Sequence, residues 1–328
     1  MHISILRLTI ILAFTVVVLG AYTRLSDAGL GCPDWPGCYG NISVPESQDH
    51  IDKSNETYAS RPLEQAKAWK EMIHRYAAGA LGLLIFTLAF LSWKSRVRWR
   101  QRMLPAILAM LVIFQALLGM WTVTLLLKPI IVMGHLLGGM AILLLLVWSY
   151  MKQNRRVTAA DVRRIKPFYP WAALCLAAVF IQISLGGWTS ANYAALICPD
   201  FPACQGQWWP PMDFRDGFIP WRGLGTNYEF GVLGSEARTA VHMSHRIGAL
   251  LTLIIVGAVS IKAMLGPDRN IRRVGGAVLL VLIVQFCLGV SNILLTLPIG
   301  MAVAHNAVAA ILLVSTGVLL FHSKYFVT

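Results

Sequence analysis

The chain has 328 residues, 57% hydrophobic and only 13% charged, with a formal net charge of +13. That composition is the profile of a polytopic helical membrane protein. The charge alone would suit nucleic acid, but its placement excludes that partner, because the basic residues sort onto one side of a membrane topology.

Eight apolar segments follow in chain order, at 5–23, 73–93, 104–126, 131–150, 170–189, 240–261, 276–297 and 300–321. Each is long enough to span a bilayer as a helix. The first has the basic start and apolar run of a signal peptide, but no small-x-small cleavage site follows, so it is read as the first span. The loops at 94–103, 151–169 and 262–275 hold most of the Lys and Arg against only Asp161 and Asp268. The opposite loops carry slightly more acid than base. The positive-inside rule then places both termini in the cytoplasm, and the lack of a transit peptide points to a bacterial plasma membrane.

The first segment runs into Gly20-Ala-Tyr-Thr-Arg-Leu-Ser-Asp-Ala-Gly-Leu-Gly31 and then Cys32-Pro-Asp-Trp-Pro-Gly-Cys38. The fifth runs into Cys198-Pro-Asp-Phe-Pro-Ala-Cys204, the same Cys-Pro-Asp-aromatic-Pro-small-Cys heptad. Phe114-Gln115 to Gly119 is echoed by Val284-Gln285 to Gly289, and the spacing from Gln115 to His135 equals that from Gln285 to His305. The expected fold is therefore all-α, two tandem four-helix bundles over 1–150 and 170–328 joined by a basic cytoplasmic linker at 151–169. An even number of spans per half makes the repeat parallel, related by a pseudo-two-fold axis along the membrane normal.

Glu71-Met-Ile-His74-Arg75 opens the second segment and Ser244-His245-Arg246 opens the sixth. His135 and His305 lie near the starts of the fourth and eighth. This topology puts all four histidines within the first turn or two of helices that begin at the outer surface, so at similar depth. A lone helical histidine is usually a satisfied polar residue. Four in a duplicated pattern favour metal or haem, and two imidazoles from facing helices are what bis-histidine haem ligation requires. A zinc or di-iron centre would want further Cys or carboxylate ligands. Glu71 is the only acid beside a repeated histidine; His242 holds the matching place. It is either a helix cap or a catalytic carboxylate. His2, His50 and His322 fall outside the repeat and carry no assignment.

Cys175 and Cys287 sit inside apolar segments as packing residues. Cys32/Cys38 and Cys198/Cys204 face the outer, oxidising side, where structural bridges lead over a redox thiol pair or a metal site. Arg24, Arg75 and Arg246 suit either haem propionates or lipid phosphate. The outer loop at 24–72 is polar and mixed in charge. The outer loop at 190–239, with Trp208-Trp209-Pro210-Pro211, reads equally as an interfacial aromatic belt or as a lid.

The stretch Gly20 to Cys38, the Glu71-x-x-His74-Arg75 helix start and the eight-span duplication strongly resemble the heme A synthase family, over essentially the whole chain. The resemblance implies an oxidoreductase that oxidises the C8 methyl of heme O stepwise to the formyl group of heme A, for terminal oxidase assembly. It implies a heme b on His245 and His305, heme O between His74 and His135, and Glu71 as the catalytic residue. It also implies a Cys32–Cys38 disulfide, with Cys198–Cys204 as a second. The implied partners are heme O, membrane lipid, heme O synthase, oxidase assembly factors and an electron acceptor. The alternative is a di-haem electron carrier of cytochrome b type, which explains four histidines but neither Glu71 nor the loop cysteines.

Overall fold

A computed structural model describes residues 3–95, 99–154 and 168–325. The linker expected at 151–169 falls mostly outside them. The described residues form ten helices: α1 (Ile3–Leu25), α2 (Gln48–Thr57), α3 (Gln65–Lys94), α4 (Trp99–Thr124), α5 (Pro129–Asn154), α6 (Tyr169–Ala191), α7 (Phe214–Gly217), α8 (Ser235–Met264), α9 (Arg269–Leu294) and α10 (Ile299–Tyr325). All but α2 and α7 are long and apolar enough to cross a membrane, the eight spans expected from hydropathy.

Two of the spans start earlier than expected. α3 begins at Gln65 and α8 at Ser235, each with a polar extension ahead of its apolar run. His74 and His245 therefore lie in the third turn of their helices, not the first or second. Hydropathy locates the part of a helix that sits in lipid, while backbone hydrogen bonding carries the same helix on into water.

The first four spans touch in a closed circuit, α1 with α3, α3 with α4, α4 with α5 and α5 with α1. The last four do the same, α6 with α8, α8 with α9, α9 with α10 and α10 with α6. The two sets meet where α1 and α5 pack on α6 and α10. Lipid tails are as apolar as leucine, so such a seam is held by close packing at small residues rather than by expulsion of water. Gly317 and Gly187 supply the room: a Cβ on Gly317 would overlap Leu144 Cδ1, and one on Gly187 would lie 3.0 Å from Leu136 Cδ2.

The outer loops are built alike at their start. The heptads close as disulfides Cys32–Cys38 and Cys198–Cys204, and the aromatic-proline bond in each is cis, Trp35–Pro36 and Phe201–Pro202. The heptad aspartate caps each loop. Asp34 accepts from the N–H groups of Tyr39 at 2.7 Å and Gly40 at 2.8 Å, and Asp200 from those of Gln205 at 2.6 Å and Gly206 at 2.8 Å. The backbone amides of Gly206 and Gln205 hold the Asp200 carboxyl below the usual carboxylate range. Tyr39 and Gln205 have φ of 53° and 56°, followed by Gly40 and Gly206 at 73°. Gly suits that left-handed region because it has no Cβ to clash.

Beyond the heptads the loops differ. The first folds back through α2 onto its own bundle, with Tyr39 packed edge-on to Tyr58. The Tyr39 hydroxyl donates to the carbonyl of Arg61 at 3.1 Å, and burial pushes its pKa up to about 12. The second crosses to the other bundle. The Tyr228 N–H donates to the Leu126 carbonyl at 3.0 Å, and Glu229 pairs with Arg61 at 3.1 Å. Lys128, only 2% exposed, donates to the Gly223 carbonyl and lies 3.5 Å over the Trp221 ring. This part of the loop covers the α4–α5 turn. Trp208 and Trp209 remain largely exposed, as an aromatic belt requires.

Candidate functional site

One continuous cavity of about 1540 Å³ runs through both bundles, and His74, His135, His245 and His305 all line it. This exceeds the roughly 300–1,000 Å³ of an ordinary small-molecule pocket. The four imidazoles are partly exposed, and what they are exposed to is the cavity. His74 on α3 and His135 on α5 face one another with ring centroids 6.4 Å apart and planes at 85°. A metal–imidazole bond of about 2 Å on each side, plus the half-width of each ring, spaces two axial ligands by about this much.

Each imidazole rests against a glycine of a neighbouring helix. A Cβ on Gly20 would meet His74 Cε1 at 2.9 Å, and one on Gly119 would meet His135 Cε1 at 3.4 Å. In the second bundle a Cβ on Gly186 would meet His245 Cε1 at 3.0 Å, and one on Gly289 would meet His305 Cε1 at 3.1 Å. All four glycines occupy matching places in the duplicated sequence, and Gly20 lies within the stretch that carries the resemblance. That repeat of small residues opposite each histidine was the available signal, and reading the polar residues alone misses it. Among the described residues no three His, Cys, Asp or Glu side chains group as a metal cage. The donors present are two imidazoles per bundle around largely apolar space, and they fit haem.

Polar groups near the histidines differ between the bundles. Gln182 Nε2 lies 2.9 Å from His245 Nδ1 and also donates to the His245 carbonyl at 2.9 Å. Gln285 Nε2 lies 3.3 Å from His305 Nε2. In the first bundle Val16 replaces Gln182, and the side chain of Gln115, the counterpart of Gln285, makes no hydrogen bond through its Nε2.

Glu71 is only 5% exposed and lines the cavity. Its Oε1 accepts from Arg75 Nη2 at 2.6 Å, and its Oε2 accepts from the Cys32 N–H at 2.9 Å. It therefore ties the disulfide loop to α3, a task beyond capping its own helix. His242, at the matching place, hydrogen-bonds through Nδ1 to the Ala194 carbonyl at 2.8 Å. The arginines that follow the repeated histidines are also committed to the loops. Arg75 Nη1 donates to the carbonyls of Gly37 and Asp34. Arg246 donates to those of Ala203 at 2.7 Å, Asp200 at 2.8 Å and Cys198 at 3.0 Å. Arg24 donates to the Ser190 carbonyl at 2.7 Å and stacks 4.0 Å over Tyr193, joining the bundles. Arg24 Nε and Arg246 Nε stay buried without a hydrogen-bond partner.

The cavity also opens differently in the two halves. In the first, its lining includes Gly79, Leu83 and Phe86 of α3 and Ile113 and Ala116 of α4, all of them exposed at the outer surface of the helices. In the second, no lining residue of α8 or α9 is exposed, and Leu253 stands where the first half has Gly82.

A family model described as cytochrome oxidase assembly protein, COX15-CtaA, matches residues 4–316. The chain is 43% identical over 312 residues to the heme A synthase of Shewanella oneidensis, covering 95% of this chain and 93% of that protein. It is 28% identical over 326 residues to that of Caulobacter vibrioides, covering 92% of this chain and 90% of that protein. It is also 28% identical over 326 residues to that of Methylobacterium radiotolerans, covering 93% and 85%.

Proposed function

The chain belongs to the COX15-CtaA family of cytochrome oxidase assembly proteins, and we propose that it oxidises heme O to heme A, taking the C8 methyl in steps to a formyl group. It is an oxidoreductase of heme biosynthesis and a multi-pass membrane protein. The observation that carries the reading at the site is the facing pair His74 and His135, at axial-ligand separation in a cavity open between α3 and α4. Heme O is insoluble in water, so a substrate site that opens sideways toward lipid suits it.

The division of labour between the bundles follows from the same contrast. His74 and His135 hold heme O as substrate. His245 and His305, walled off from the surface by α8 and α9, hold a resident heme b that supplies an electron path. Glu71 sets a carboxylate one helical turn from His74. Both of its oxygens are already engaged, by Arg75 and by the Cys32 amide. A carboxylate so fixed is suited to stabilising positive charge at the methyl carbon rather than to carrying a proton away. The disulfide loop holds Glu71 in place and shields the outer end of the site from water.

The two bundles are related by a pseudo-two-fold axis along the membrane normal, with both termini cytoplasmic and the haem sites toward the outer side of a bacterial plasma membrane. The 151–169 linker is the basic cytoplasmic connection. Heme O synthase and oxidase assembly factors are the neighbours that would deliver substrate and take product.

Extraction of pigment from the purified protein tests the assignment. Heme b together with heme O or heme A supports it. Heme b alone, filling both sites, would make the protein an electron carrier instead.

A further inference from the structure

The first bundle contains a glutamine whose position has no explanation in packing alone. Gln115 is 7% exposed and lines the cavity, and its Nε2 has no hydrogen-bond partner. The amide is lodged in a notch on α5. A Cβ built on Gly138 would overlap Gln115 Nε2 and fall 2.8 Å from its Cδ, so only glycine leaves room for it there. An unpaired buried N–H is costly, and Gln115 occupies the same place relative to His135 as Gln285 does to His305. Gln285 makes that contact, with its Nε2 3.3 Å from His305 Nε2. The counterpart of Gly138 in the second bundle is Val308, a β-branched residue that leaves no such notch. The two glutamines thus display two positions of one device, over the histidine in one bundle and withdrawn from it in the other.

We propose that Gln115 is a retractable cap on His135 and that the Gly138 notch is where it retracts, leaving the ring free to ligate heme O at each turnover. This rests on the reading of the first bundle as the substrate side. A site that must be loaded and emptied repeatedly gains from a parking place for its competing donor. A site filled once by a resident cofactor has no such need, so Val308 is tolerated in the second bundle. Gln115 is a positioning residue here, since it acts through His135.

The test uses the purified full-length protein, titrated with heme O and followed by its low-spin absorption, with bound heme b counted in the same sample. Gly138→Ala removes the notch and keeps Gln115 over His135. The expected result is several-fold weaker heme O uptake with heme b unchanged. Adding Gln115→Leu to the same chain keeps the bulk against the added methyl group but removes the donor, and is expected to restore uptake. Wild-type uptake in the Gly138→Ala protein would overturn the proposal. So would a weakening that Gln115→Leu does not relieve, or one with an equal loss of heme b, since each marks a packing defect. A His74→Met protein, titrated alongside, separates the underlying assignment. If heme O uptake survives that change and is lost on His245→Met, the substrate side was misassigned, whatever the glutamine does.

Discussion

The two bundles share a plan and differ at residues on or against the cavity. Both carry a disulfide heptad capped by an aspartate, a histidine–arginine pair below it and a glycine behind each imidazole. Against that common ground stand Glu71 for His242, Val16 for Gln182, Gly82 for Leu253 and Gly138 for Val308. Every one of these changes lies on the cavity or against a group that lines it. The first bundle has a carboxylate, an opening and a glutamine amide off its histidine, while the second has an amide on each histidine and a closed wall. The duplicated scaffold keeps its loops, its four histidines and their glycines and differs at other residues on or against the cavity, so the repeat acts as an internal control.

The sharpest way to break the comparison is through the ligands. Replacing His245 or His305 with Leu is expected to abolish the resident heme b spectrum. Replacing His74 or His135 should leave that spectrum in place and end conversion of heme O, as read by extracted pigment. Heme b that survives loss of both His245 and His305 would reverse the roles of the halves.

Glu71→Gln comes next in size. It keeps the shape of the side chain and the contact to the Cys32 amide while removing the charge. Removing a preorganised electrostatic group costs roughly 10²–10³ in rate, so the protein should fold and hold heme b while product formation falls on that scale. Wild-type turnover would reduce Glu71 to an anchor for the loop.

Arg75 and Arg246 share matching loop contacts at Asp34/Asp200 and Gly37/Ala203, but Arg246 adds the Cys198 carbonyl where Arg75 pairs with a buried carboxylate. Arg246→Ala loses hydrogen bonds from a charged group, about 1.5–3 kcal/mol each at most, with solvent offsetting part of this. Arg75→Ala loses the shared contacts and strands Glu71, a penalty on the order of 3–5 kcal/mol for a broken buried pair. Thermal unfolding in detergent should therefore rank Arg75→Ala below Arg246→Ala. Adding Glu71→Gln to Arg75→Ala should recover part of the difference.

The smallest expected effect is also a symmetric one. The two disulfides close loops of equal length, and the loop-closure argument gives each about 2–3 kcal/mol. Replacing either pair with alanines should lower stability by similar amounts. A change in turnover confined to Cys32 and Cys38, at equal stability loss, would show that the first loop also positions Glu71 through the Cys32 amide.

The eight spans, the duplicated plan, the four histidines and the cysteine pairs were all legible in the amino-acid sequence. Hydropathy and close repetition are properties of the chain itself, and a bilayer turns them into topology with little freedom left. Tertiary structure alone decided where the polar groups found partners. Arg75 and Arg246 read as cations awaiting an anion, because backbone carbonyls brought near by a folded loop leave no mark in composition. The second outer loop read as belonging to its own half, yet Tyr228 and Glu229 reach Leu126 and Arg61 across the seam. Gln115 and Gln285 read as equivalent, since they have the same spacing to their histidines. They diverge because one faces Gly138 and the other Val308, on a neighbouring helix, and a few ångströms of packing space between helices is a quantity no single stretch of sequence contains.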